Sequence, residues 1–347
     1  MSSARTWPAL DGCRALFVLA VLLAHARIPY THGGGELGVT GFFVLSGFLI
    51  TRLLVREHES TGAIDLPGFY ARRALRLLPA LLLLITTALV AYGMRGRAAV
   101  ILSAAGPTLM YSSNWLLAFH GDLEPFQQTW SLAIEEQFYL VWPMTLLAAL
   151  RWLPSPRARW LASLALFGAL VAWRAALWFA CHDPLRIYFG SDTNAMSLVF
   201  GAVIALAPSL PQPPLSRLLV PVGLLLFALG VMASELLHTT VPQDQALIPL
   251  LALFGSGALV IGALHGSTLL ELAPLRYFGR ISYGVYLWSW TLPKIIGNFD
   301  RDYQRVASYA PWLGLLCAVV SYHLVEQRAV ALGARTRRPT IATTSPP

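Results

Sequence analysis

Along the chain, apolar runs of about twenty residues alternate with short polar breaks, long enough for each run to cross a bilayer. The runs fall near residues 8–26, 37–55, 77–94, 131–150, 160–180, 191–208, 216–237, 246–266, 278–297 and 310–329. Hydrocarbon offers the backbone no water to bond, so each run is predicted to be a helix. The pattern gives an all-α, polytopic membrane bundle of about ten transmembrane helices. One further segment, 98–118, is apolar but carries Gly106-Pro107 and then Ser112-Ser113-Asn114. No period of 20–50 residues recurs, so a solenoid is not expected.

Charge decides how that segment is read. With the N-terminus cytoplasmic and ten spans, the inner side collects Arg5, the 56–76 loop (Arg56, Arg72, Arg73, Arg76), the 151–159 loop with three arginines, Arg217, Arg276 and the tail arginines. The outer side keeps Arg27, Arg95, Arg97, Arg186 and the mixed 298–309 loop. A crossing by 98–118 would turn the 151–159 loop outward, against the positive-inside rule. The expectation is therefore ten helices, both termini cytoplasmic, and 98–118 as a re-entrant or interfacial piece on the outer face.

Composition agrees with a membrane protein. Of 347 residues, 56% are hydrophobic and 12% charged, half the charge that a soluble domain carries. The net charge of +8 is almost all arginine, with Lys294 the only lysine. No tract interleaves basic and aromatic residues as a nucleic-acid surface does, so the charge reads as orientation and no nucleic-acid partner is expected. The arginine and alanine bias hints at a GC-rich bacterial genome, and hence at the cytoplasmic (inner) membrane of a bacterium. No small-residue cleavage site follows the first apolar run, which is expected to be a retained span. Cys13, Cys181 and Cys317 have neither metal nor disulfide spacing, so no metal site is expected. Residues 1–333 read as one membrane domain and 334–347 as a disordered polar tail.

Ionisable groups inside apolar runs are the candidate chemistry. In "PALDGCRALFVLAVLLAHA" (8–26), Arg14 and His25 are eleven residues apart, three helical turns plus about 20°, so they share a face about 16 Å apart. Asp11 stands at i−3 from Arg14, where an ion pair lowers the cost of burial. Histidine suits proton abstraction from a hydroxyl because it titrates near neutrality; a helix-end pair with an interfacial histidine is the plainer alternative. "GVTGFFVLSGFLIT" (38–51) has glycines 38, 41 and 47 and Ser46, the makings of a tight helix interface. In "FYARRALRLLPALLLL" (69–84), Arg73 and Arg76 fit phosphate binding and also plain cytoplasmic anchoring. "TWSLAIEEQFYLVWP" (129–143) sets Glu135 and Glu136 one turn into a span. Adjacent side chains diverge by about 100°, so at least one glutamate faces protein or a cavity, where it could orient a histidine or handle its proton. Both lie toward the same outer side as His25 under the ten-span topology. "SDTNAMSLVFGAVIAL" (191–206) begins with Ser191 or Asp192 as a helix cap. The late "FGRISYGVYLWSWTLP" (278–293) and "SYHLVEQRAV" (321–330) read as packing or anchoring.

In this order, "LDGCRALFVLAVLLAH", "GVTGFFVLSGFLIT", "RRALRLLP", "TWSLAIEEQFYLVWP", "GRISYGVYLWSW" and "SYHLVEQ" resemble the acyltransferase-3 family of multi-pass membrane O-acyltransferases, from residue 10 to about residue 328. The resemblance implies transfer of an acyl group, commonly acetyl, from cytoplasmic acyl-CoA as donor substrate to a hydroxyl of an extracytoplasmic or membrane-associated glycan or glycosylated metabolite. No permanently bound cofactor is implied; the partners are acyl-CoA, a carbohydrate acceptor and membrane lipids. It implies His25 as the central catalytic residue supported by Arg14, Arg73 and Arg76 in donor handling, and the 130–139 stretch shaping the site. The C-terminal esterase-like domain frequent in the family is not expected here. Three positions depart from the family's pattern: Thr40 where an aspartate is usual, Ser289 in place of the histidine of a Trp-His-Trp-Pro motif, and Asn194 where arginine is common. The rival readings are a proton-coupled transporter, in which buried Arg, His and Glu form a relay, and an inactive relative.

Overall fold

A computed structural model describes residues 7–237, 244–300 and 302–335, all of whose regular elements are helical. Residues 336–347, most of the segment expected to be a disordered tail, lie outside the described residues.

The long helices are α1 (Pro8–His25), α2 (Gly34–Thr61) and α3 (Leu66–Gly93), then the short α4 (Ala98–Leu109) and α5 (Ser113–Ala118), then α6 (Thr129–Trp152) and α7 (Pro156–Cys181). After the one-and-a-half-turn α8 (Pro184–Phe189) come α9 (Ser191–Leu206), α10 (Leu215–Leu237), α11 (Asp244–Ala263), α12 (Ala273–Arg280), α13 (Ser282–Gly297), α14 (Tyr303–Ser321) and α15 (Gln327–Arg335). Among the described residues, seven stretches are long and apolar enough to cross a membrane, α8–α9 counting as one and α14 running on towards α15 as another.

Boundaries differ from the apolar runs where polar residues continue a helix past the bilayer. α2 and α3 have 28 residues each, about 42 Å against about 30 Å of hydrocarbon. The expected 56–76 loop therefore shrinks to four residues: Gly62 at φ 74° ends α2, and Asp65 caps α3 by accepting from the Gly68 amide. Arg56, Arg72, Arg73 and Arg76 sit on helices instead. The 98–118 segment is split in two at Met110–Ser112, with Tyr111 at φ 50°. Its longer half has 12 residues, about 18 Å, too short to span. The 278–297 run is broken at Ile281, just after Gly279 packs directly on the Asp11 carbonyl of α1. The last span is interrupted by a π-turn at Tyr322–Glu326. The α9 cap is Gly190; Ser191 donates to Gln137, and Asp192 accepts from Arg186 and Trp173.

Glycines let the central helices meet backbone to backbone. Gly38 lies on the Phe17 carbonyl of α1, and Gly47 and Gly201 interlock α2 with α9 at the Leu198 and Val44 carbonyls. The tight α2 interface expected from the sequence is thus present, and it holds α2 against α1 where the cavities form. A Cβ at Gly47 would overlap the Leu198 oxygen, and backbone cannot retreat cheaply. Gly47→Ala is expected to cost about 1–3 kcal/mol, read as a lower thermal midpoint of the detergent-solubilised protein.

Candidate active site

Two cavities adjoin in the bundle interior, sharing Val39 of α2 and Tyr286 of α13 as lining residues. The larger, about 640 Å³, opens at the end of α1 that carries His25. The smaller, about 100 Å³, holds Arg14, Arg73, Arg76, Glu135 and Ser46. Arg14 and His25 thus occupy successive chambers along one face of α1, as their eleven-residue spacing predicts.

The partition is hydrogen-bonded. The Tyr286 hydroxyl donates to the Gln128 carbonyl (2.8 Å) and shares a bond with Ser131 (2.6 Å). Gln128 is itself pinned by donating to Thr291 Oγ1 (2.6 Å) and the Leu287 carbonyl (3.1 Å), so the start of α6 is locked to α13.

In the larger chamber, His25 Nδ1 lies 2.8 Å from Ser289 Oγ, a fully buried hydroxyl of α13. The imidazole meets the Trp290 ring edge-on at 5.0 Å between centroids. Trp130 and Tyr188, 4.9 Å apart, form an aromatic wall. Two further histidines line the mouth. His32 faces Glu235 (3.4 Å), which also accepts from the Gly33 amide, and His120 faces Asp183 (3.0 Å).

In the smaller chamber, Arg14 is paired with Asp11 at 3.6 Å. Arg73 donates to Glu136 through Nη2 (2.7 Å) and Nε (3.3 Å), and its guanidinium lies 3.4 Å over the Tyr139 ring. Glu135 accepts from Ser46 at 2.9 Å. Arg76 reaches the same space from an otherwise exposed side chain.

The six residues singled out from the sequence are therefore divided between two places. Arg14, Arg73, Arg76 and Glu135 converge in the smaller chamber, with Glu136 held against it through Arg73. His25 stands in the other. Neither glutamate is the hydrogen-bonding partner of the imidazole, contrary to the expected orienting pair; that partner is Ser289. Depth explains the difference. Trp130 and Gln128 at the start of α6 line the histidine chamber, and Glu135 is five residues beyond Trp130, about 7 Å farther along the axis and past the Tyr286–Ser131 partition.

Ser289, Tyr286, Gln128 and Glu36 escaped the sequence reading as site residues. Ser289 had a signal, as a departure from the family motif. Thr40, another of the three departures, is buried and donates to the Glu36 carbonyl at 3.1 Å, and Glu36, one turn away, lines the histidine chamber.

Comparison with known proteins agrees in extent. A family model described as an acyltransferase domain matches residues 7–324. The peptidoglycan O-acetyltransferase OatA of Listeria monocytogenes is 32% identical over 82% of this chain and 49% of its own length. The O-acetyltransferase OatA of Staphylococcus aureus is 32% identical over 94% of this chain and 57% of its own. The chain spans about half the length of these relatives. No solved structure matches it. The matched residues include every helix that lines the two chambers, and the chain belongs to the acyltransferase-3 family.

Proposed function

We propose that this protein is a membrane O-acyltransferase moving an acetyl group from cytoplasmic acyl-CoA to a hydroxyl of an extracytoplasmic or membrane-associated glycan. One observation carries the reading: a chamber of three guanidinium groups abuts a chamber holding a histidine, with only Val39 and Tyr286 shared between them. Cationic forks suit the phosphates and carbonyls of a coenzyme A thioester. A neutral imidazole beside an aromatic-walled cavity suits deprotonation of a sugar hydroxyl. The name of the Listeria relative, a peptidoglycan O-acetyltransferase, supports acetyl as the group and a cell-wall glycan as the acceptor class.

In this scheme the bundle crosses a bacterial inner membrane ten times with both termini cytoplasmic, which sets the arginine chamber toward the donor side. The His25 Nδ1–H donates to Ser289 Oγ, leaving the Nε2 lone pair toward the chamber. Nε2 takes the proton of the acceptor hydroxyl as its oxygen attacks the thioester carbonyl. The carbon–sulfur bond breaks, and the departing thiolate recovers that proton from the imidazolium, leaving an ester and free coenzyme A. Two hydrogen bonds commit Arg73 to Glu136, whereas Arg14 meets Asp11 only at 3.6 Å and Arg76 has no ion pair among the described residues. Arg14 and Arg76 are therefore the guanidinium groups that meet the donor, while Arg73 shapes the chamber floor.

Radiolabelled acetyl-CoA supplied to membranes containing the protein should yield acceptor-dependent label transfer and stoichiometric free coenzyme A. Arg76→Gln is expected to raise the KM for acetyl-CoA about tenfold or more, the loss of one charge-assisted hydrogen bond, with kcat far less affected. An unchanged KM would remove Arg76 from the donor site, and absence of label transfer by the unaltered protein would reject the function.

A further inference from the structure

The two chambers differ in the sign of their fixed charge. Among the described residues lining the histidine chamber there is no lysine or arginine, whereas three arginines line its neighbour. The histidine chamber instead carries Glu36, and its mouth histidines are backed by Glu235 and Asp183. A carboxylate or phosphate on an incoming acceptor would face these oxygens with no lining lysine or arginine to receive it.

We infer that the histidine chamber selects a sugar bearing a protonated amine, with Glu36 as the counter-ion of that amine. The inference rests on the acyl-transfer reading of the same site and names the acceptor that reading leaves open.

Three features of the chamber support it. Where the family pattern places an aspartate, this chain has Thr40, and Glu36 supplies a carboxylate one helical turn away on the same helix, within the cavity wall. Arg174, buried outside the cavity lining, interacts with Glu36 electrostatically, and its guanidinium donates to the Ile187 and Thr193 carbonyls (3.4 Å each). Arg174 does not line the cavity and so presents no cation to the ligand.

The second feature is an unmet acceptor. Gln128 is 4% exposed and lines the chamber, and its Oε1 is buried with no hydrogen-bond partner among the described residues although its amide nitrogen makes two bonds. A buried acceptor left unpaired is costly, and an ammonium or hydroxyl of the ligand would satisfy it. The Trp290 Nε1–H is likewise buried without a partner among the described residues and would donate to a ring or hydroxyl oxygen.

The third is the wall itself. The faces of Trp130 and Tyr188 are negative at their centres, which attracts a cation and repels an anion, whereas the Trp290 ring already has the Lys294 ammonium 5.4 Å from its centroid. A volume of about 640 Å³ leaves room for more than one pyranose ring.

Three disaccharides of nearly equal size test the inference on the full chain in lipid nanodiscs, just below neutral pH: β-1,4-linked diglucosamine, the β-1,4-linked diglucose as its neutral form, and a β-1,4-linked disaccharide of glucose and glucuronate. Transfer from acetyl-CoA is read as coenzyme A release, and binding without donor by calorimetry. The expected kcat/KM for diglucosamine exceeds that for the neutral form about tenfold, the strength of one charge-assisted contact, with the glucuronate last. In Glu36→Gln, the ratio of diglucosamine to neutral acceptor should fall to near one. Equal use of all three sugars, a glucuronate preferred to the amine, or an undiminished ratio in Glu36→Gln overturns the inference while leaving acyl transfer standing. Absence of coenzyme A release with every sugar, alongside the predicted order in calorimetry, overturns acyl transfer and upholds the chamber's selectivity. Calorimetry showing no order among the three sugars rejects the selectivity. The ranking by the unaltered protein decides the matter even where Glu36→Gln fails to fold.

Discussion

Replacing His25 by alanine is expected to lower kcat for acetyl transfer about a thousandfold, within the range that a positioned general base supplies. The KM values for donor and acceptor should change little, because the arginine chamber and the aromatic wall are untouched. No second base stands ready. Ser289 is the hydroxyl left beneath the deleted ring, fully buried and ordinarily non-basic. His32 and His120 are committed to Glu235 and Asp183 at the cavity mouth. The truncated side chain enlarges a chamber of about 640 Å³ that already admits solvent, so the variant should fold and insert normally, a point that size-exclusion elution and thermal unfolding check. Retention of the unaltered rate in folded His25→Ala would overturn the scheme. A comparable loss in Ser289→Ala would be too large for a residue that only orients the ring, for which about tenfold is the scale set by one neutral hydrogen bond.

The second large effect is on stability. Arg73→Ala should destabilise the bundle by about 3–5 kcal/mol, since it strands the Glu136 carboxylate in a membrane interior. Arg73 makes two hydrogen bonds to Glu136 and stacks on Tyr139. Arg73→Lys should recover only part, because an ammonium keeps the charge but loses the fork and the ring contact. The sharper measurement is a double-mutant cycle with Glu136→Gln. Removing both charges together should cost less than the sum of the single losses, because each single change leaves an uncompensated partner. Additive losses in thermal unfolding would show that the pair is not coupled. Stability and activity separate these two residues: His25→Ala should fold without turning over, and Arg73→Ala should fail before turnover can be measured.

Much of this was legible in the one-dimensional pattern, for identifiable reasons. Apolar runs must become helices in hydrocarbon, so the helical fold followed from composition and spacing. The common face of Arg14 and His25 followed from helix geometry, which fixes direction within a single rigid element. The glycines of α2 announced a close approach, and the structure places Gly38 and Gly47 against neighbouring carbonyls. Helix ends were less legible, because Arg72, Arg73 and Arg76 continue α3 well beyond its apolar run.

The relation between helices was not legible at all. Glu135 and His25 looked convergent because the expected ten-span topology put both toward the outer side, yet Glu135 joins the arginines and a hydrogen-bonded wall of Tyr286, Ser131 and Gln128 runs between it and His25. Ser289, read as a lost histidine, is the residue that meets His25, across 264 positions of sequence. Local sequence fixes what each helix is and which of its side chains share a face. Depth and rotation against a neighbour depend on packing contacts summed over both partners, so only the assembled bundle decides which charges meet and which cavity each one enters.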